Sequence, residues 1–313
     1  MSKLISIVTP TYNEQENVND VYAQVKEIFA QLPQYDYEYI FIDNASTDET
    51  VKILKNLARE DKHVKIIVNS RNFHARSPHY ALFQAKGDAV ISLVADLQDP
   101  PAQIKDFIQK WEQGFKIVVG IKNKSEEGRI MFGIRRFYYY LIKKIGDIEQ
   151  IRNFHGFGLY DREFIEAIRK FDDQDPYFRG MINEVGFEHV EIPYTQNERK
   201  KGKSKGRNFY TMYGFAMLGF VNHSKLPLRL ASFLGFGMSA LSFIIGVAYL
   251  IYKLVDWQRF QMGLAPIIIG IFFFGSVQLF FIGILGEYIG AIYTQVKRRP
   301  LVIEKERINF DPT

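Results

Sequence analysis

AVISLVADLQDPP, residues 89–101, is the stretch of this sequence that decides its fold. The run Ala89–Leu93 is short, apolar and partly β-branched, which predicts a buried parallel strand that ends at Asp96. Acidic and amide side chains then stand at the carboxyl end of a strand, where open α/β sheets bind ligands. Asp99, followed by two prolines, is typical of a helix N-cap and first turn. We expect a ligand site here, the alternative being a loop whose acid only caps the next helix.

The first hundred residues alternate between strand and helix patterns. The strands are predicted at Leu4–Thr9, Tyr37–Asp43, Val64–Val68 and Ala89–Leu93, and the helices at Glu16–Leu32, from Ser46 to about Glu60, and at Pro78–Lys86. The second helix is predicted to open with a capping box, Ser46–Glu49. Such alternation implies an α/β fold, with a mostly parallel sheet covered on both faces and a nucleotide as the default ligand of its carboxyl edge.

Three loops at that edge share one chemical character. The loop after the first strand carries an aromatic ring with amide and carboxylate groups, the second begins at Asp43, and the third is the opening stretch. A ring can stack on a base, and a carboxylate can accept bonds from a base N–H or ribose hydroxyls. The candidate donor-binding residues are Pro10, Tyr12, Asn13, Glu14, Asp43, Asp96 and Gln98. No predicted strand is followed by Gly-x-Gly-x-x-Gly, so a dinucleotide fingerprint is not predicted.

Two apolar runs near the C-terminus predict membrane-spanning helices. Leu230–Ile251 and Gly263–Gly286 contain 22 and 24 residues without a charged side chain, and about 20 suffice to cross a bilayer. The N-terminus enters a strand-like run directly, with no secretory signal. The sequence predicts an integral membrane protein with a soluble head, and Gly286 with Gly290 favours close packing of the second span against the first or against a neighbouring subunit in a homo-oligomer.

Basic residues predict the orientation of this hairpin. Lysines and arginines are dense at 199–229 and 297–307, whereas the connector 252–262 carries two. The head and both termini are therefore expected in the cytoplasm. The net charge of +5 is concentrated beside the membrane, which suits anionic lipid better than nucleic acid. The absence of cysteine excludes a disulfide-stabilised fold.

The motifs, taken in order, resemble those of family 2 glycosyltransferases with a GT-A fold. They are PTYNE at 10–14, Asp43 with STD at 46–48, RNF at 71–73, Gly87-Asp88, ADLQDPP at 95–101, Arg199-x-x-Gly-x-Ser204-Lys205, PLR at 227–229, LGEYIG at 285–290 and Arg299-Pro300. The later motifs resemble the polyprenyl-phosphate branch, which includes bactoprenol glucosyltransferases and relatives of dolichol-phosphate mannose synthase. The resemblance covers nearly the whole chain. It implies a Rossmann-like cytoplasmic head, interfacial helices, a two-helix transmembrane hairpin and a place in the bacterial inner membrane.

The resemblance also implies a reaction and a set of residues. The reaction implied is the transfer of a sugar, with inversion, from a nucleotide sugar to undecaprenyl or another polyprenyl phosphate, with Mg²⁺ or Mn²⁺. A UDP-linked hexose is the donor that the family leads us to expect, and cell-envelope glycan modification is the expected use of the product. Asp96 and Gln98 are expected to bind the metal, and Asp96, Arg199 and Lys205 to be catalytic, with Ser204 on the donor diphosphate. The divisions expected are 1–200 for the head, 201–227 for a basic loop and interfacial helix, 228–290 for the spans and 291–313 for a cytoplasmic tail.

The acceptor phosphate is expected where the head meets the membrane. Residues 128–145 show one apolar helical face with basic residues around it, which predicts an interfacial helix; a core helix with a solvated basic face is the alternative. Lys122, Arg129 and Arg135 are the candidate phosphate contacts. The acceptor is a phosphate monoester that is already anionic at neutral pH, so the reaction needs charge neutralisation and alignment more than a strong base.

Three departures from the family pattern leave the general reaction standing and bear on the sugar and on the details of metal binding. Val94 replaces the first acid of the usual Asp-x-Asp, Asn153 stands where many members carry an acid, and His74 begins an unusual segment after RNF. The alternatives are a processive polysaccharide synthase, which would need more spans and a Gln-x-x-Arg-Trp segment, and an inactive membrane scaffold. Retention of Asp43, Asp96 and Gln98 favours the transferase.

Overall fold

A computed structural model of the chain shows an α/β head joined to two long apolar helices. It describes residues 2–123, 151, 153–197, 201, 224–255 and 264–311, with four single positions between 214 and 221. The strands in these ranges are β1 Lys3–Thr11, β2 Tyr35–Asp43, β3 Val64–Asn69, β4 Ala89–Ser92, β5 Ile117–Lys122, β6 Phe154–Asp161, β7 His189–Tyr194 and β8 Glu304–Ile308. The helices are α1 Val18–Ala30, α2 Thr50–Glu60, α3 Arg76–Gln84, α4 Ile104–Glu112, α5 Arg162–Arg169, α6 Phe178–Val185, α7 Leu226–Val255 and α8 Leu264–Val296.

The described strands form one mixed sheet in the order β7-β5-β6-β4-β1-β2-β3-β8. The pairs β1–β2, β1–β4, β2–β3 and β5–β7 are parallel, whereas β6 and β8 run antiparallel to their neighbours. The chain winds from β1 out to β3 and then returns to place β4 on the other side of β1. The strand order therefore reverses between β1 and β4, and a sheet of this kind binds its ligand at such a point. The predicted α/β fold with a mostly parallel sheet is confirmed.

Helices cover both faces of the sheet. One apolar layer packs α1, α2 and α4 against it through residues such as Val21, Leu54 and Phe107. The other layer packs α3, α5 and α6 through residues such as Leu82 and Phe164. Because successive strand residues point to opposite faces, strands covered on both sides are apolar at consecutive positions, as the run Ala89–Leu93 predicts.

The predicted capping box at Ser46–Glu49 is wrong. Helix α2 begins only at Thr50, since Ser46 turns back and donates its backbone N–H (2.8 Å) and its hydroxyl (2.5 Å) to Asp43. Asp48 Oδ1 instead accepts a bond from the backbone N–H of Thr50 at 3.0 Å. A carboxylate three residues upstream thus competes successfully for the serine that would otherwise cap the helix.

Helices α7 and α8 differ from the rest of the chain because their apolar side chains are exposed. They contain 30 and 33 residues, and both are long and apolar enough to cross a membrane. Phe236 is 75% exposed on α7 and Phe272 is 74% exposed on α8. Both helices extend past the predicted limits of the spans, 228 and 290.

The chain returns from α8 to the head and adds β8 to the sheet. This strand pairs antiparallel with β3, and Asn309 Nδ2 donates to the carbonyls of Ala58 (2.6 Å) and Val64 (2.8 Å). At the end of α8 the side-chain amide of Gln295 bonds to the backbone of Asp172 and Gln174. Within the segment predicted only as a tail, 291–313, residues 304–308 are therefore part of the head's sheet.

Candidate active site

Asp43, at the carboxyl end of β2, is fully buried and fixes two loops. Its carboxylate accepts the hydroxyl of Thr11 at 3.1 Å and both the N–H and the hydroxyl of Ser46. Burial raises the pKa of Asp43, and the bonds from Ser46 and Thr11 oppose that shift. The structure gives this residue the role of a loop anchor; contact between its carboxylate and a donor requires the surrounding loops to open.

The loop after β1 is held against the loop after β2. The backbone N–H of Asn13 donates to Ser46 Oγ at 2.8 Å, and Asn13 Oδ1 accepts the N–H of Thr47 at 2.7 Å. The N–H of Glu14 donates to the hydroxyl of Thr50 at 2.8 Å. Pro10 and Tyr12, the other predicted donor residues of this loop, are half-buried. These bonds bring the candidate base-binding side chains together at the reversal point of the sheet.

The loop after β3 joins the same network through Asn44, which sequence reasoning missed. Asn44 Oδ1 accepts bonds from the N–H of Phe73 (3.2 Å), the hydroxyl of Ser77 (2.5 Å) and the amide of Asn69 (3.3 Å). The guanidinium of Arg71 lies 4.2 Å from the centre of the Phe73 ring. All three loops on this side of the edge are therefore tied by buried polar side chains.

Half of the eight non-glycine residues with left-handed backbone in the described part of the chain lie at this edge. Each of the four loops after β1 to β4 contains a non-glycine residue in the left-handed region: Asn13 (φ 53°), Ala45 (φ 61°), His74 (φ 52°) and Leu97 (φ 56°). Each such residue costs on the order of 1–2 kcal/mol and persists only where its surroundings hold it. A series of this kind is typical of a functional edge.

The loop after β4 carries the candidate metal residues. Asp96 and Gln98 are half-buried, and the N–H of Gln98 donates to Asp96 Oδ1 at 3.2 Å, while Val94 is exposed. Among the described residues, no cluster of three or more acidic or histidine side chains could by itself hold a metal. One carboxylate and one amide fit a hard cation that takes its other oxygens from a diphosphate and water.

The predicted cap at Asp99 is wrong, because its carboxylate belongs to a contact with a distant strand. Asp99 is 5% exposed and accepts the hydroxyl of Tyr194, at the end of β7, at 2.5 Å. Burial raises the pKa of Asp99, and the bond from Tyr194 and the charge of Lys122 act in the opposite direction. Lys122, a predicted acceptor contact, therefore lies close enough to Asp99 for its charge to act on that carboxylate.

Five other predicted site residues lie outside the described residues. They are Arg129, Arg135, Arg199, Ser204 and Lys205. The predicted interfacial helix at 128–145 lies there as well. The last described residue before Arg199 is Asn197, and its N–H donates to the carbonyl of Gln98 at 3.0 Å.

Comparison with known proteins identifies the family. The family model described as "Glycosyl transferase family 2" matches residues 6–169, which include most of β1 and all of β2 to β6. The match contains every loop of this edge described so far except the one after β7. The chain belongs to family 2 of the glycosyl transferases. A second model, described as "GtrB C-terminal hairpin", matches residues 227–292, which cover most of α7 and α8.

Relatives of this glycosyl transferase match it from end to end. A bactoprenol glucosyl transferase of Shigella phage SfV is 35% identical over 96% of this chain and 98% of its own length. The SfII prophage-derived bactoprenol glucosyl transferase of Shigella flexneri is 34% identical over 98% of this chain and 99% of its own. Among solved structures, glucosyl-3-phosphoglycerate synthase from Mycobacterium tuberculosis is 17% identical, with 70% of this chain and 76% of that chain covered and a TM-score of 0.47.

The family 2 match assigns this chain a glycosyl transferase activity and the GT-A fold. It ends at residue 169, so β7, Tyr194, Asn197 and β8 lie outside both family models. Sequence reasoning did not predict a role for Asn197, because this residue stands beside a basic run and its contacts are with residues about a hundred positions away.

Proposed function

We propose that this glycosyl transferase moves a hexosyl group, with inversion, from a UDP-linked sugar to undecaprenyl or another polyprenyl phosphate. The observation that carries the proposal is the loop Asp96–Gln98, set at the reversal point of a family 2 head in a chain that also has a matching hairpin. The relatives named as bactoprenol glucosyl transferases share both parts over nearly their whole length. The product would be a glycosyl-phosphoryl-polyprenol that supplies cell-envelope glycan modification.

The donor's base and ribose would bind at the three interlocked loops. Tyr12 offers a half-exposed ring for stacking, and Pro10, Asn13 and Glu14 would shape the pocket around it. Asp43 would act there as anchor and, once the loops open, as an acceptor for base or ribose hydrogens. The fixed loops would reduce the entropy lost when the donor binds.

The donor diphosphate would lie over the loop after β4. Asp96 and Gln98 would hold a divalent cation, Mg²⁺ or Mn²⁺, through their oxygens. When bound, that ion neutralises charge on the leaving diphosphate. Asp96, Arg199 and Lys205 would be the catalytic residues, with Ser204 on the diphosphate and the two basic side chains stabilising the charge that develops.

The acceptor phosphate would be held by Lys122, Arg129 and Arg135. The charge of Lys122 already acts on the carboxylate of Asp99, which supports its placement beside the diphosphate loop. An anionic phosphate oxygen needs alignment and neutralisation for in-line attack at the anomeric carbon, and no proton has to be removed from it first.

The membrane arrangement is a hairpin with the head and both termini in the cytoplasm of a bacterium, at the inner membrane. Pairing of β8 with β3 supports this arrangement, because it requires both ends of the hairpin to lie on the side of the head. The basic residues at 199–229 and 297–307 favour the cytoplasmic side. We also propose domain boundaries after residues 200, 227 and 290. A homo-oligomer would pack through Gly286 and Gly290.

A processive polysaccharide synthase is the second candidate. Two described helices are long enough to span a membrane, and the sequence has no Gln-x-x-Arg-Trp segment. These observations favour a single transfer to a lipid. An inactive scaffold would have no reason to keep the acid and amide of Asp96 and Gln98 at the reversal point of the sheet.

Purified protein in detergent, incubated with a short polyprenyl phosphate and a panel of UDP- and GDP-sugars, tests the proposal. We expect one glycolipid product from a UDP-hexose, and loss of that product when a chelator removes divalent cations. Polymer formation would favour the synthase. Release of nucleotide from every donor without any glycolipid would contradict the proposal.

A further inference from the structure

The loop that carries Asp96 and Gln98 is held in place from outside its own strand. Asn197 makes two bonds to it: its N–H donates to the carbonyl of Gln98 at 3.0 Å, and its side-chain amide donates to the carbonyl of Leu97 at 3.2 Å. The carbonyl of Leu97 belongs to the peptide unit between Leu97 and Gln98, and the carbonyl of Gln98 belongs to the next peptide unit. Asn197 therefore contacts two consecutive peptide units of the diphosphate loop, one on each side of Gln98.

Leu97 explains why such support is needed. Its φ of 56° lies in the left-handed region, which a branched apolar side chain adopts at a cost on the order of 1–2 kcal/mol. If this residue relaxed to the right-handed region, the peptide units on either side of it would reorient, and the side chains of Asp96 and Gln98 would change direction relative to each other. A hydrogen bond contributes about 0.5–1.5 kcal/mol net, so the bonds from Asn197 are of the size needed to offset the strain.

Tyr194 anchors this support three residues earlier. Its ring is 4% exposed and packs edge-on against Phe157, with ring centres 5.3 Å apart. Its hydroxyl donates to Asp99, and its carbonyl accepts the N–H of Asn123 at 3.0 Å. The end of β7 is therefore bonded both to Asp99 and to the backbone of Asn123, so the residues that connect Tyr194 to Asn197 start from a fixed position.

We propose that Asn197 is a positioning residue that holds Leu97 in its left-handed conformation and so aims Asp96 and Gln98 at the donor diphosphate. This inference rests on the proposed function and extends it to a residue outside both family matches. Asn197 also immediately precedes the basic segment with Arg199.

The test is a double-mutant cycle between Asn197 and Leu97. Asn197→Ala removes the side-chain bond and should weaken UDP binding in the presence of Mn²⁺, measured by calorimetry, by about 3- to 10-fold. UDP binding without metal and KM for the lipid should change less than about 2-fold, since only the loop of Asp96 and Gln98 is displaced. The melting temperature in detergent should stay within a few degrees.

Rescue separates positioning from a general loosening of the region. Glycine adopts the left-handed region at no steric cost, so in a Leu97→Gly background the Asn197→Ala effect on UDP–Mn²⁺ binding should fall below about 2-fold. Thr195→Ala, at an exposed position two residues away, is the matched control and should leave binding unchanged.

Each outcome decides between the explanations. An unchanged Asn197→Ala protein overturns the inference, and so does a loss that persists in the Leu97→Gly background, because the asparagine would then act on the basic segment alone. If the wild-type protein binds UDP with Mn²⁺ but forms no glycolipid, the proposed acceptor is wrong while the positioning role still stands or falls by the binding cycle.

Discussion

The two sides of the sheet's carboxyl edge are built differently. On the side of β1 to β3, three consecutive loops bind one another through Asp43 and Asn44, which are both buried. On the side of β4, the loop with Asp96 is held by Tyr194, the last residue of β7, and by Asn197, which follows that strand, both about a hundred residues later in the chain. The first side is held by hydrogen bonds among three loops that follow one another along the chain. The second depends on a long-range contact with Asn197, so a change at that residue should disturb the second side and leave the first side intact.

The largest effect should come from Asp96→Asn, which breaks the second side only. Removing the charge should lower glycosyl transfer by about 10²–10³-fold, or about 3–4 kcal/mol in the barrier, because the diphosphate loses its metal-binding carboxylate. Initial rates with a saturating UDP-sugar measure it. The exposed Asp106→Asn on α4 is the control. Unchanged turnover would show that the carboxylate is not needed, and the role of the second side would then have to be reassigned.

Asp43→Ala should break the first side. The change leaves the hydroxyls of Thr11 and Ser46 and the N–H of Ser46 without their charged acceptor, and we expect a loss of about 3 kcal/mol of stability. Denaturant unfolding in detergent would measure it, with the exposed Asp36→Ala as control. A stable variant that still loses UDP binding would instead favour direct contact between Asp43 and the donor.

Acid should loosen the first side through His79 on α3. This ring is 4% exposed and lies against Phe83 and Phe178, and burial lowers its pKa to about 4. Since the unfolded chain binds this proton below about pH 6.5, stability is fully present above that pH and falls as the pH drops toward 4. Between pH 7.5 and 5 we expect a loss of about 2 kcal/mol.

His79→Leu should remove most of that pH dependence, measured as the change in unfolding free energy between the two pH values. His189→Leu, at a half-exposed ring, should leave it in place. An equally steep acid loss in the His79 variant would assign the effect to other groups.

The smallest effect should come from Ala45→Gly in the second loop. Because φ is 61° at this position, glycine relieves strain and should stabilise the protein by up to about 1 kcal/mol. Ala167→Gly within α5 should destabilise it by a similar amount, since glycine lowers helix propensity. A loss of stability in both variants would mean that the left-handed conformation of Ala45 imposes no strain on the folded protein.

The same difference explains what the sequence could predict. The strands, the helices and the candidate residues Tyr12, Asn13 and Asp43 follow from local periodicity and from loops that directly follow strands. The cap at Ser46 was predicted wrongly because its competitor, Asp43, becomes available only once the loop folds back. The bond between Asp99 and Tyr194 joins residues 95 positions apart, and no local pattern indicates it.

Strand β8 escaped prediction for a different reason. Its sequence, EKERI, has no alternation of apolar and polar residues, because an edge strand needs few buried side chains and gains from charge. Its position is set by backbone pairing with β3 and by contacts such as the 2.6 Å ion pair between Lys55 and Glu306, which a reading of one segment at a time does not reveal.

That strand has a practical consequence for anyone who works with the head alone. A protein cut after residue 200 would lose the last partner of β3 and present an open row of backbone donors and acceptors, which invites edge-to-edge aggregation. A soluble head would instead need residues 302–311 joined back to it through a flexible linker. The membrane hairpin is, in this sense, an insertion between two strands of a single sheet.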